Sequence, residues 1–108
     1  MNEQRKFVRK MLTAHGDIAD GLGEHWNPIR LYDVSLGGVG LLCTLELQPG
    51  FVRMLRFALP VDPPNQVRAV FKVMHCVKHS LFDGYRIGGE FKELDAESRE
   101  IIQRYIES

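Results

Sequence analysis

Apolar and polar residues alternate with a period of two along most of this chain, and only the C-terminal stretch changes period. Met11 to Ala19 fits a short strand, and Asp20-Gly21-Leu22-Gly23-Glu24-His25 reads as a loop that Trp26 ends. Ile29 and Leu31 then alternate with Arg30 and Tyr32 up to Asp33, and Val39, Leu41, Cys43 and Leu45 alternate with Gly40, Leu42, Thr44 and Glu46. Pro49-Gly50 predicts a type II turn. Beyond it, Leu55, Phe57 and Leu59 alternate with Met54, Arg56 and Ala58. After a break at Pro63-Pro64-Asn65, Val67, Ala69, Phe71, Val73, His75 and Val77 share one parity, with Arg68, Lys72 and Lys78 on the other. Phe82-Asp83-Gly84 turns the chain into Tyr85, Ile87, Gly89 and Phe91, opposed by Arg86, Gly88 and Glu90, so the fifth and sixth strands form a hairpin.

The helical period belongs to the end of the chain. Asp95 is placed to cap a helix, Glu97 favours its first turn, and Ser98, Ile101, Ile102 and Tyr105 make one face. So short a helix is marginal alone and must dock its isoleucines on the sheet. Six short strands and one helix predict a mainly β protein, a small antiparallel β-barrel with a C-terminal α-helix over one opening.

Composition narrows the function. With 108 residues the chain makes one domain with a core of useful size. Fourteen basic and fourteen acidic side chains cancel, which argues against nucleic acid as a partner. No apolar run approaches the roughly 20 residues that span a bilayer, so no membrane insertion is expected. Cys43 and Cys76 lie far apart and no signal peptide is evident, which points to a reduced, cytoplasmic protein. Charge is uneven locally: Arg5, Lys6, Arg9 and Lys10 make a basic N-terminal segment suited to a small anion.

Two clusters carry chemistry. Asp33-Val34-Ser35-Leu36-Gly37-Gly38-Val39-Gly40 sets an acid, a hydroxyl and three glycines between apolar runs. Glycine admits close approach to the backbone, and a carboxylate and hydroxyl at alternate extended positions point the same way. The same residues are also ordinary turn vocabulary. Arg5 and Arg9, four apart, form a fork whose planar donors match phosphate oxygens and the O6 and N7 of guanine, although a basic terminus is also an ordinary solvated tail. A carboxylate at Asp33 can accept from guanine N1–H and N2–H, Ser35 can add a hydroxyl contact, and Gly38 leaves room. The two clusters together fit a ligand with both guanine and phosphate.

Other residues offer less. His75 and His79 would share a strand face about 13 Å apart while Cys76 points away, so zinc is not expected. His75, on an apolar parity, reads as a packed or rim histidine. No nucleophile elbow and no convergent Ser, His and Asp set is present, so no enzyme activity is expected.

Arg5-x-x-x-Arg9, followed by Asp33-x-Ser35-x-x-Gly38 and an ending of Gly84-Tyr85-Arg86-Ile87-Gly88-Gly89-Glu90-Phe91 plus the Asp95 helix, resembles the PilZ domain family of bacterial cyclic di-GMP receptors. The resemblance covers essentially the whole chain. It implies a six-stranded antiparallel PilZ-like barrel over residues 11–92, a flexible ligand-binding arm over 1–10 that wraps the barrel, and a helix over 95–107. It implies that Arg5 and Arg9 hold phosphates and guanine Hoogsteen edges, that Asp33 and Ser35 contact the other guanine edge, and that Gly38 keeps the approach open. Gln4, Lys6, Gly37 and His75 are further binding candidates, His75 because many relatives place a Trp or His near the base. Relatives that bind an intercalated nucleotide dimer often have an Arg where this chain has Gln4, which leaves one or two nucleotides per chain open. The implied function is a cytoplasmic receptor, without a cofactor, that signals to an effector protein in motility, biofilm or pilus regulation; a homodimer stays open. The alternative is a nucleotide-independent interaction module of type IV pilus function.

Overall fold

Period-two alternation becomes six strands, and the final change of period becomes one helix. The computed structural model describes residues 7–108. Its elements are β1 (Lys10–Ala19), β2 (Trp26–Val34), β3 (Gly38–Cys43), β4 (Val52–Ala58), β5 (Gln66–Lys78), β6 (Tyr85–Leu94) and α1 (Ala96–Glu107). All neighbours are antiparallel in the cyclic order β1-β2-β3-β6-β5-β4, and Asp17↔Arg56 lies at the centre of the short β1–β4 pairing that closes the barrel. The expected hairpin of β5 and β6 is present, and β3 lies on the other side of β6.

Inward side chains fill the barrel, as a six-stranded closure leaves no room for a lumen. Leu31, Leu41, Leu55, Phe57, Phe71 and Ile87 are all buried. Truncating Phe57 or Phe71 to alanine at such sites costs about 3–5 kcal/mol. Asp95 caps α1 as expected, its Oδ1 accepting from the Ser98 N–H at 2.7 Å. Ser98 Oγ in turn accepts from the Arg68 N–H at 2.9 Å, which fixes the helix start to β5. Ile101 and Ile102 enter the core.

The helix end is tied to the start of β1. Lys10 Nζ donates to the Tyr105 carbonyl at 3.0 Å and the Ser108 carbonyl at 2.8 Å, and lies 4.5 Å from the centre of the Tyr105 ring. The Tyr105 hydroxyl donates to the Met11 carbonyl at 3.1 Å. A cation at a helix C-terminus satisfies carbonyls that have no partner inside the helix.

Local periodicity misplaces a few residues. The turn before β4 is of the expected kind, with Gly50 at φ +98° and the Phe51 N–H donating to the Gln48 carbonyl at 3.0 Å. However, β3 stops at Cys43, so Leu45 is not a strand residue, and Leu59 lies just past the end of β4. The larger correction is in β5: a register shift between Val73 and His75 breaks the parity expected through Val77. Cys76 packs against the core, while His75 and Val77 face solvent.

Candidate functional site

The turn from β2 to β3 is closed by its own serine. Ser35 N–H donates to the Gly38 carbonyl at 2.9 Å, and Ser35 Oγ accepts from the Gly37 and Gly38 N–H groups at 3.1 Å each. The same hydroxyl lies 3.3 Å from the Gly38 carbonyl, so its contacts are with backbone groups. Asp33, at the end of β2, is buried, and its Oδ2 accepts from Arg9 Nη1 at 3.3 Å. The arm therefore meets the glycine turn through an ion pair, which brings together two residues that lie far apart in sequence.

A shallow pocket of about 450 Å³ opens beside this pair. Phe7, Arg9, Ser35 and Gly37 bound it on the turn side, and Met74 and His75 of β5 bound it on the other. Between them lie Gly38 of β3 and Gly88, Gly89 and Glu90 of β6, in the order the strands take around the barrel. At Gly88 the His75 ring occupies the space of the missing Cβ, so a side chain there would displace the ring. Gly38 also answers a packing demand: a Cβ there would run into the Gly89 carbonyl, so the close approach of β3 and β6 itself calls for glycine.

The expected residues converge in part. Arg9, Ser35, Gly37, Gly38 and His75 line the pocket, whereas Asp33 lies behind Arg9 and reaches the pocket through it. Gln4, Arg5 and Lys6 lie outside the described residues. His75 is exposed and sits on the pocket wall rather than packed in the core. Phe7, Met74, Gly88, Gly89 and Glu90 were not among the residues expected from sequence. Consecutive glycines inside a strand pattern were the available signal for Gly88 and Gly89, since they mark a bulge or a close approach. Nothing local marks Met74.

A second guanidinium stands within electrostatic range of Asp33. Arg86 lies 4.7 Å from the centre of the Tyr32 ring, and its pKa is raised first by the Tyr32 hydroxyl and also by the Asp33 carboxylate. Among the described residues, no group of three or more His, Cys, Asp or Glu side chains is placed to hold a metal ion. No helix among them is long and apolar enough to cross a membrane. The site offers a guanidinium donor, a carboxylate acceptor, apolar walls and a floor without side chains. This combination suits a planar base that carries an anion.

The same fold is found in the Bacillus subtilis inhibitor of motility MotI/DgrA, with a TM-score of 0.81 at 20% identity, covering 98% of this chain and 51% of that one. The PilZ domain of Escherichia coli YcgR with c-di-GMP matches with a TM-score of 0.74 at 17% identity, covering 94% of this chain and 88% of that one. The K. pneumonia MrkH–c-di-GMP complex matches with a TM-score of 0.72 at 16% identity, covering 98% and 52%. This chain thus spans about half the length of MotI/DgrA and of MrkH. A search of curated protein sequences finds no match. The PilZ domain model matches residues 3–108, and with the barrel, the capping helix and the glycine turn in place, the chain belongs to the PilZ domain family.

Proposed function

We propose that the pocket receives cyclic di-GMP and that the chain is a receptor for this second messenger, passing the signal to an effector protein and catalysing no reaction. The observation that carries the reading is the Arg9–Asp33 pair at 3.3 Å on the edge of the pocket. Each member complements one part of the ligand: Arg9 the phosphate or the Hoogsteen edge of guanine, Asp33 the N1–H and N2–H donors. The binding of c-di-GMP by YcgR and MrkH, which share the fold, supports the same ligand here. Arg5 takes its role alongside Arg9 from the motif alone. Ser35 acts first by holding the turn, and its hydroxyl contact with guanine is added when the arm closes.

On this reading the ligand replaces the internal ion pair with external partners, and the arm closes over it. Isothermal titration with cyclic di-GMP, GTP and cyclic di-AMP tests the assignment. Saturable binding of cyclic di-GMP alone is expected, weakened by about ten- to two-hundred-fold in Arg9→Ala, and the titration also reports one or two nucleotides per chain. The alternative is a nucleotide-independent interaction module, in which the Arg9–Asp33 pair serves only to hold the start of β1 to the turn. No heat with any nucleotide and an unchanged melting temperature would overturn the receptor reading and turn the search to that alternative.

A further inference from the structure

We propose that Met74 is a ligand-contacting residue, aimed into the pocket by a β-bulge in β5, with its thioether packed on the face of the bound guanine. The inference rests on the cyclic di-GMP reading. Adjacent residues of a regular strand point to opposite faces, so Met74 and His75 should not share a surface. Here they do. The β5–β6 register passes from Val73↔Gly89 directly to His75↔Gly88, which leaves Met74 as the extra residue. Burial follows the same slip: Val73 is buried, Met74 and His75 are both exposed, and Cys76 turns to the core. Without the extra residue, regular alternation would place only one of Met74 and His75 on the outer face.

The displaced side chain lands beside the ligand site. Met74 is 51% exposed and lines the same pocket as Arg9 and His75. Its neighbours across β6 are Gly88 and Gly89, which present no side chain to cover it. Across the glycine floor, Phe7 forms the other apolar wall and is 46% exposed. Two apolar groups lining one pocket suit the faces of a purine, while Arg9 and Asp33 take its polar edges. Methionine is well matched to this task because its polarizable sulfur makes favourable contacts with aromatic rings and its unbranched chain adapts to the base. Bulges beside functional sites re-aim side chains in this way, and they also bend strands to help a barrel close. If curvature were the sole purpose, the identity of residue 74 would not matter to the ligand.

Methyl NMR and titration separate the two purposes. The chain has four methionines, and Met54 serves as the control because it lines a separate groove with Trp26. In protein labelled at the methionine methyl groups, the Met74 signal, assigned by its loss in Met74→Leu, is expected to move upfield on saturation with cyclic di-GMP. Met74→Ala is expected to bind about three- to tenfold more weakly, Met74→Leu within about twofold of wild type, and Met54→Ala unchanged. Unfolding is not a concern for a side chain this exposed, and equal melting temperatures would verify it. Wild-type binding with an unmoved Met74 methyl and an unaltered affinity in Met74→Ala would overturn the assignment and leave the receptor reading intact. Failure of the wild-type protein to bind cyclic di-GMP would instead overturn the receptor reading, and this assignment with it.

Discussion

Pairing Arg9→Ala with Asp33→Asn in a double-mutant cycle measures how firmly the arm is held to the barrel before any ligand binds. The two side chains differ in environment: that of Arg9 is 44% exposed and that of Asp33 is 10% exposed. Exposed ion pairs contribute about 0.2–1 kcal/mol, and removing one partner of a buried pair costs about 3–5 kcal/mol. The half-exposed guanidinium places this pair near the lower range, and its 3.3 Å separation exceeds the roughly 2.7–2.9 Å of a strong charge-assisted bond. We expect a coupling energy of about 1 kcal/mol. Arg9→Ala should cost about 1–2 kcal/mol in total because it leaves the Asp33 carboxylate buried without its donor. Asp33→Asn should cost less, since the guanidinium it releases is already half in water. Urea unfolding followed by the fluorescence of Trp26, the single tryptophan, gives all four stabilities. A coupling below about 0.3 kcal/mol would refute the reasoning, because it would mean that the two side chains do not form the ion pair from which the estimate is worked.

Three further outcomes follow from the geometry. Gly38→Ala should destabilise by about 1–3 kcal/mol, because the new Cβ meets the backbone carbonyl of Gly89, whereas Gly37→Ala meets only the movable Phe7 ring and should cost less; equal losses in urea would contradict the close approach of β3 and β6. The Asp95 carboxyl is held below its ordinary pKa chiefly by the backbone N–H of Ser98, so its contribution is present above the unfolded value of about 3.9 and is lost as pH falls through the lower folded value. The melting temperature of Asp95→Ala should therefore lie below wild type at pH 7 by more than it does at pH 2, the gap narrowing as the carboxylate is protonated while the neutral carboxyl keeps a weaker cap; a gap of equal size at pH 7 and pH 2 would place the effect elsewhere. Lys10→Met should weaken the end of α1 by about 0.3–1 kcal/mol and raise amide exchange in its last turn, with unchanged exchange arguing against the contact to Tyr105 and Ser108.

Much of the candidate site is legible in the sequence as local structure, for a physical reason. Asp33, Ser35 and Gly38 belong to one local turn, and the demands of a turn on hydroxyls and glycines are written within a few residues. Arg9 was legible as a donor, but its meeting with Asp33 depends on how β1 leads into the barrel. For Ser35 and Gly38 the structure adds a duty in backbone geometry that the motif does not spell out: Oγ closes the turn and the missing Cβ admits Gly89. His75 was placed on the apolar parity since alternation counts positions along one strand and is blind to an inserted residue.

The sequence by itself determined the class of the protein: six alternating strands, a helix capped by Asp95, a glycine turn after Asp33, and an interior of Val, Leu, Ile and Phe at period two. These are local preferences, settled by neighbours a few residues away. Tertiary structure decided the cyclic order β1-β2-β3-β6-β5-β4, the attachment of Lys10 to the helix end and the slip at Met74. Each of these depends on which strand lies alongside which, and in what register. One extra residue against a partner strand reverses every side chain beyond it, and only the pairing of β5 with β6 reveals that Met74 and His75 face the same way.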